Sequence, residues 1–464
     1  MYNSINIVFS GIFMKKQIDK YFYSTFFKLF SVVSMQSLIV FSVNLADSVM
    51  LGSYSETAMS GVSLANQIQF LLQMLVYGTA NGLVVLASQY WGKKQTAPIK
   101  KVLSAAFWVG IFFAVVLGAA VLISPTGLLG LLSDEAQIVA EGSEFIKIMS
   151  VSYIFFAISS IFVSLMRSVE TVKIGFYISV ATLIVNISLN YLLIFGKFGC
   201  PELGAVGAAY ATVAARIVEF VIITIYVFFF DKKLKVKIKD LFSFDKTYIK
   251  DYFRTGLPLV GSSGSWGIAM TVQTAVIGRL GEAAIGANAV ASPIFQLVAV
   301  LYSSASSASS VIIGKTVGEN DIPRVKKYSV KLQIIYVITG LVSSALLLLV
   351  KNAVIGIYNI SDETHLLANT FINILAITVI GSAYEAPCLC GIVSGGGDTK
   401  FVLYNDIIFM WGMVIPMSLL SAFVFKWPVA VTFFILKFDQ LAKCFVAIPK
   451  VNRYKWIHNL TREE

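Results

Sequence analysis

Charge is what this chain has least of. Of its 464 residues only 13% are Asp, Glu, Lys or Arg, while 57% are hydrophobic, and the mean hydropathy is +0.80. That mix is far from a soluble domain. No long polar interval separates the apolar stretches, so there is no room for a separate soluble domain. The two histidines, His365 and His458, both fall in segments read as loops, so any proton relay must use carboxylates. There are four cysteines; Cys388 and Cys390 lie two apart in an apolar segment with no second pair nearby, which reads as packing and not as a metal site. GGGDT at 395–399 lacks the Lys-Ser/Thr that completes a phosphate loop and reads as a tight turn with a helix cap. No nucleotide motif points to ATP. Paired catalytic groups (Ser/His, two close aspartates, a His-based metal set) are also missing, so the chain does not read as an intramembrane enzyme, and no cofactor is expected.

Apolar stretches long enough to cross a bilayer, about 20 residues each, fill the chain instead. About twelve begin near Phe26, Val62, Ile99, Phe145, Ile174, Gly204, Tyr252, Ala287, Val330, Leu367, Phe401 and Pro428. Their length and continuity predict helices and not barrel strands, hence an all-α polytopic membrane protein. The net charge of +11 is concentrated at the termini and in the even-numbered loops: KKQTAPIKK at 93–101, DKKLKVKIKD at 231–240, PRVKK at 323–327 and KVNRYK at 450–455. The odd loops SDEAQ at 133–137 and SDETH at 361–365 are acidic. The positive-inside rule then places both termini in the cytoplasm. The basic excess is a topology signal with a possible role in anionic-lipid contact, and nucleic acid is not an expected partner. The first 14 residues, MYNSINIVFSGIFM, are too short to span; they are either an interfacial segment or an upstream start, with Met14 opening the more usual MKK.

The chain repeats itself. LGSYSETAMSGVSLANQIQF at 51–70 lies without a gap against IGRLGEAAIGANAVASPIFQ at 277–296, an offset of 226; Gly92 then meets Gly318, and Lys100 and Lys101 meet Lys326 and Lys327. SVETVKIGFY at 168–177 resembles GGGDTKFVLY at 395–404. A six-helix unit has been duplicated, and an even helix count gives both copies the same orientation, a parallel repeat. The expected division is an N-terminal cytoplasmic or interfacial segment 1–25, a first lobe 26–230, a Lys-rich linker 231–251, a second lobe 252–450 and a tail 451–464. Two bundles facing each other across a cleft suit alternating access, which makes transport the leading function class.

Within the first lobe, FSVNLADSVMLGS carries Asp47, the only charge between Lys28 and Glu56. A charge at mid-bilayer costs roughly 2.5–3.5 kcal/mol on insertion scales, so such an acid is a functional candidate. At about 1.5 Å rise per residue, Asp47, Asn186, Asn190 and Thr212 all lie about 10–16 Å inside the outer face. Asn186 and Asn190, four apart, share a helix face. A carboxylate, two amides and a hydroxyl at one level suit a small hard cation or a protonatable acid. The second half does not repeat the set: Asp47 faces Gln273, and the asparagines face Val414 and Ser418. Other buried charges rank lower. Arg216 with Glu219, and Asp439 with Lys443, have the spacing of intrahelical ion pairs. Asp406 stands alone early in the eleventh helix as the second-ranked ionisable residue, with Glu385 and Asp439 behind it.

NLADSVMLGS with SGVSLANQI, LNYLLIFGKFGCPELGAVGAAYATV, GLP at 256–258, GRLG at 278–281 and GGGDTK together resemble the multidrug and toxin extrusion (MATE) family, of the bacterial NorM/DinF-like kind. The resemblance covers nearly the whole chain in order. It implies two six-helix lobes in a V in the bacterial inner membrane, and export of organic cations and amphipathic toxins in exchange for Na⁺ or H⁺. It also implies a first-lobe cation site, whose positions match Asp47, Asn186, Asn190 and Thr212. Many members carry a glutamate on helix 7 where Ser263 stands here, and relatives whose first helix bends at a proline are a poor guide, since residues 26–55 contain no proline. A second-lobe coupling acid on helix 7 and a proline-based bend are therefore not expected. Substrate is expected between the lobes, against Trp266, Met270, Gln273, Tyr77, Phe70 and Phe295, and a monomer in the lipid bilayer is expected. The alternative within transport is a flippase for lipid-linked precursors of the same superfamily.

Overall fold

The computed structural model describes residues 20–463 apart from 357 and 359. The start MYNSINIVFSGIFM lies outside the described residues. The first helix, α1 (Lys20–Tyr54), runs through residue 25 without a break. Nothing in its sequence stops it: Phe22, Phe26 and Leu29 recur at helical spacing and are fully buried.

Eleven further rods follow: α2 (Glu56–Gly92), α3 (Thr96–Ile123), α4 (Ala136–Ser150 and Ser152–Ser168, bent by 52°), α5 (Lys173–Ile194), α6 (Gly204–Phe230), α7 (Lys246–Gly278), α8 (Glu282–Gly318), α9 (Ile322–Ile355), α10 (Asp362–Val393), α11 (Thr399–Val424) and α12 (Val429–Lys437 and Asp439–Asn452). Among the described residues nine helices are long and apolar enough to span a membrane by themselves, and the bent α4 makes ten. The remaining two are α7, which starts with the polar KTYIKDYFR, and α12, which carries Lys437, Asp439 and Lys443. Polar residues inside these two lower their hydropathy without breaking the twelve-helix pattern. Helix starts are fixed by caps where the sequence supplies them. Ser55 accepts from Ala58 N, Asp245 from Thr247 N, Asp321 from Arg324 N and Ser361 from Thr364 N. His365, read from the sequence as a loop residue, lies in the first turn of α10 behind the Ser361 cap.

One apolar cluster joins α1 to α6 around Leu51, Leu72, Tyr153 and Ala209, and another joins α7 to α12 around Val276, Leu347, Phe371 and Phe433. These are the cores of two six-helix bundles. A third cluster crosses between them: Phe22, Phe26 and Leu29 of α1 pack with Val311 and Ile313 of α8 and with Tyr328 and Tyr336 of α9. The base of α7 likewise enters a first-bundle cluster through Tyr248 and Tyr252.

The bundles touch where α2 meets α7 and α8, towards the face that carries the basic loops. Close approach there depends on small residues. A Cβ on Gly82 would lie 2.6 Å from Gly256 Cα, one on Gly92 2.0 Å from Lys315 O, and one on Gly318 1.8 Å from Gln89 O. Gly92 and Gly318 are repeat-related, so the two copies meet each other at equivalent positions. Gly318→Val is expected to lower the melting temperature by several degrees, since overpacking a tight site costs about 1–3 kcal/mol. Gly130→Ala, which meets open space, is expected to leave it unchanged. Equal melting of the two variants in detergent would rule out the tight seam.

Candidate functional site

The short connection between α5 and α6 sets the site. GKFGCPELG turns sharply: Gly196 takes φ +63, a left-handed conformation that a side chain would strain, and Leu203 N donates to Leu193 O at 2.9 Å. A Cβ on Gly207 would lie 2.5 Å from Leu193 O, so glycine lets α6 lie against α5. Thr212, further along α6, is thereby brought level with Asn186.

Asn186 and Asn190 are both buried on the face of α5 that α1 and α6 cover. Asn190 Nδ2 donates to Asp47 Oδ1 and, at 3.1 Å, to Asn186 Oδ1. Asn186 Nδ2 donates to Thr212 Oγ1 at 3.4 Å, and that hydroxyl donates to Ala208 O at 2.9 Å. The four residues singled out from the sequence thus form one continuous chain across three helices. Asn190 Oδ1 is buried with no partner, an acceptor left free inside the cluster. Asp47 itself forms no ion pair among the described residues. Arg216 is within electrostatic reach of it but is already paired with Glu219 at 2.8 Å and lies 4.8 Å from the Phe156 ring centre. Asp47 therefore keeps a carboxylate with no ion-pair partner of its own, beside the free Asn190 acceptor, which suits a proton or a small cation chemically.

The second bundle differs from expectation. Asp406 is not alone: Lys443 Nζ lies 2.9 Å from its Oδ1, and Ser262 Oγ donates to its other oxygen. The same ammonium reaches Asp439 at 3.4 Å, and Glu385 has Lys443, Asp439 and Asp406 as charged neighbours. The partners come from α7, α10 and α12, a juxtaposition that spacing along one helix does not reveal. Asp398, expected to cap a helix after GGG, makes no capping bond and instead pairs with Lys450 at 2.6 Å.

The residues expected along the cleft divide. Phe70 and Trp266 meet across the two bundles with ring centres 6.0 Å apart, and Tyr77 is 42% exposed beside Phe156. Met270 is half-buried on α7. Gln273 is a correction: it is buried, accepting from Lys437 Nζ at 3.2 Å and donating to Met410 Sδ at 3.3 Å inside the second bundle. Phe295 is half-buried and packs on the core of that bundle. Residue type suits Gln273 to a cleft wall, and helix rotation turns it inward. Sequence reasoning also passed over polar contacts between the bundles. Arg167 reaches Ser307 at 3.4 Å, and Lys315 bonds Glu170 at 2.9 Å and Tyr21 Oη at 2.5 Å. Arg167 sits in the apolar run ISSIFVSLMRS, and a lone arginine there was the available signal.

Two parallel six-helix bundles, meeting at one face and holding a lone-acid oxygen cluster inside only one of them, define a multi-pass membrane transporter. The MatE family model matches residues 33–192 and 263–420, one segment in each half, and the chain belongs to the MatE family. It is 24% identical over 417 residues to the "Uncharacterized transporter YisQ" of Bacillus subtilis (strain 168), covering 89% of this chain and 90% of that one. It is 26% identical over 403 residues to the "Probable multidrug resistance protein NorM" of Streptococcus pneumoniae (strain ATCC BAA-255 / R6), covering 85% and 87%. Among solved structures, the fold is similar to an outward-facing multidrug resistance MATE family transporter of the MOP superfamily, with a TM-score of 0.83 at 16% identity over 92% of this chain and 95% of that one.

Proposed function

We propose that the chain is a secondary active antiporter of the bacterial inner membrane, exporting organic cations and amphipathic drugs in exchange for Na⁺ or H⁺ coupled at Asp47. The observation that carries this reading is the Asp47–Asn190–Asn186–Thr212 chain, with its unpaired carboxylate and unfilled Asn190 acceptor. The names of the similar proteins, multidrug resistance proteins among them, support the substrate class. The basic-loop face is the cytoplasmic one by the positive-inside rule, with both termini there, and the protein works as a monomer in the bilayer.

An amide can present either end. With Asp47 ionised, Asn190 offers its N–H; with a proton or Na⁺ on Asp47, reversal of the same amide offers its carbonyl oxygen. Ion binding thus changes how α5 is tied to α1, and the two forms of the first bundle differ in the helix contacts they favour. An ion arriving from outside biases the bundle towards the form that lets substrate go, and its release inwards resets the cycle. Aromatic surface at Phe70, Trp266 and Tyr77 supplies apolar and cation–π contact for a flat cationic substrate.

In inverted vesicles, an imposed Na⁺ or proton gradient is expected to drive accumulation of an ethidium-like cation, and dissipating that gradient is expected to stop it. Accumulation that requires ATP and ignores both gradients would overturn the proposal.

A further inference from the structure

Beyond the last helix the chain crosses from one bundle to the other on the basic-loop face. Trp456 is fully buried on the second-bundle side, its Nε1 donating to Val451 O at 2.8 Å and its ring over Gly396, where a Cβ would lie 2.1 Å away. Ile457 forms an antiparallel bridge with Gly397, and His458 N donates to Gly396 O at 2.7 Å. The GGGDT turn, whose phosphate-loop reading the sequence excluded, is the seat of this anchor.

From the carbonyl of His458 onward, the partners are first-bundle side chains and the base of α7 that is embedded among them. Gln89, fully buried near the end of α2, donates to His458 O at 3.2 Å and to Gly395 O at 3.3 Å, and its Oε1 accepts from Leu460 N at 2.8 Å. Leu460 packs on the first-bundle cluster that holds Tyr90 and Tyr248. Arg462 N donates to Tyr90 Oη at 3.3 Å, Lys93 Nζ to Arg462 O at 2.7 Å, and the Arg462 guanidinium grips Asp251 with two bonds of 2.6 and 2.8 Å. Asp251 stands at the base of α7, the part embedded among first-bundle side chains through Tyr248 and Tyr252.

We infer that residues 456–462 form a latch that holds the two bundles together on the basic-loop face and is released when that face opens. The inference rests on the alternating-access reading above. Separation of α2 from α8 carries Gln89, Tyr90 and Lys93 away from Gly395 and Trp456, which breaks the direct Gln89 bond to Gly395 O and pulls on the tail contacts of both sides. The Trp456 side buries a large apolar ring and stays; the Arg462 side is held by hydrogen bonds and an ion pair whose guanidinium is half exposed, so it yields first. The latch thereby weights the equilibrium towards the state closed on this face, without touching the Asp47 site.

Hydrogen exchange of the full-length protein in nanodiscs tests this. Arg462→Ala is expected to raise exchange of peptides spanning 84–92 and 310–318 by about two- to fivefold, the range of an exposed charged pair, with peptides at 56–64 and 282–290 unchanged. The charge swap Arg462→Asp with Asp251→Arg is expected to restore the original protection. Unchanged exchange at the seam, or an equal rise at both ends of the helices, would overturn the latch. Failure of the transport proposal would show instead as absent gradient-driven uptake by the unaltered protein.

Discussion

Asp47→Asn is expected to stop gradient-driven export while leaving the protein folded and at least as stable. The asparagine has the same shape as the aspartate, so Asn190 Nδ2 keeps an acceptor and the chain through Asn186 to Thr212 stays connected. Folding loses little by the change: Arg216 keeps its partner Glu219, and a charge inside the bilayer costs roughly 2.5–3.5 kcal/mol on insertion scales that the amide does not carry. Transport loses its link to the ion: the amide neither takes up a proton nor offers a net charge to Na⁺. Coupling free energies of 1–3 kcal/mol correspond to about 5–150-fold, so efflux of an ethidium-like cation from cells without other pumps is expected to fall at least about tenfold. The melting temperature in detergent is expected to match or exceed that of the unaltered protein. Export at the original rate would remove Asp47 from the mechanism, and a large drop in melting temperature would make it a structural residue.

The fold and the first-bundle cluster were legible because their signals are local. Apolar runs of span length, caps such as Asp321 and Ser361, and the basic-acidic alternation of loops all act within a few residues. Depth counted along straight helices brought Asp47, Asn186, Asn190 and Thr212 to one level, and the GKFGCPELG turn made that level real by fixing how α6 returns along α5. What the sequence hid was rotation and long-range meeting. Gln273 has the right residue type for a cleft wall but points into the second bundle. Asp406 has no charged neighbour along its own helix and finds Lys443 on another. The tail contacts of Gln89 join residues more than 300 positions apart, and no periodicity encodes such a pair.

Lys443→Met is expected to destabilise the second bundle by about 3–5 kcal/mol, the usual consequence of removing one partner from a buried ion pair. The ammonium is nearly inaccessible and stands 2.9 Å from Asp406 and 3.4 Å from Asp439, with Glu385 also close enough to feel its charge. Methionine fills the volume but removes the one positive charge that Asp406, Asp439 and Glu385 share. Adding Asp406→Asn to Lys443→Met is expected to recover part of the loss, because the amide still accepts from Ser262 and one negative charge is gone. Groups in direct contact couple by about 0.5–3 kcal/mol, so a double-mutant cycle of melting in detergent reads the term directly. Ion-driven transport per folded molecule is expected to persist in the double variant if the cluster is structural. Additive effects on stability would dissolve the network, and loss of coupling in a well-folded double variant would move an ion-responsive role from Asp47 towards Asp406.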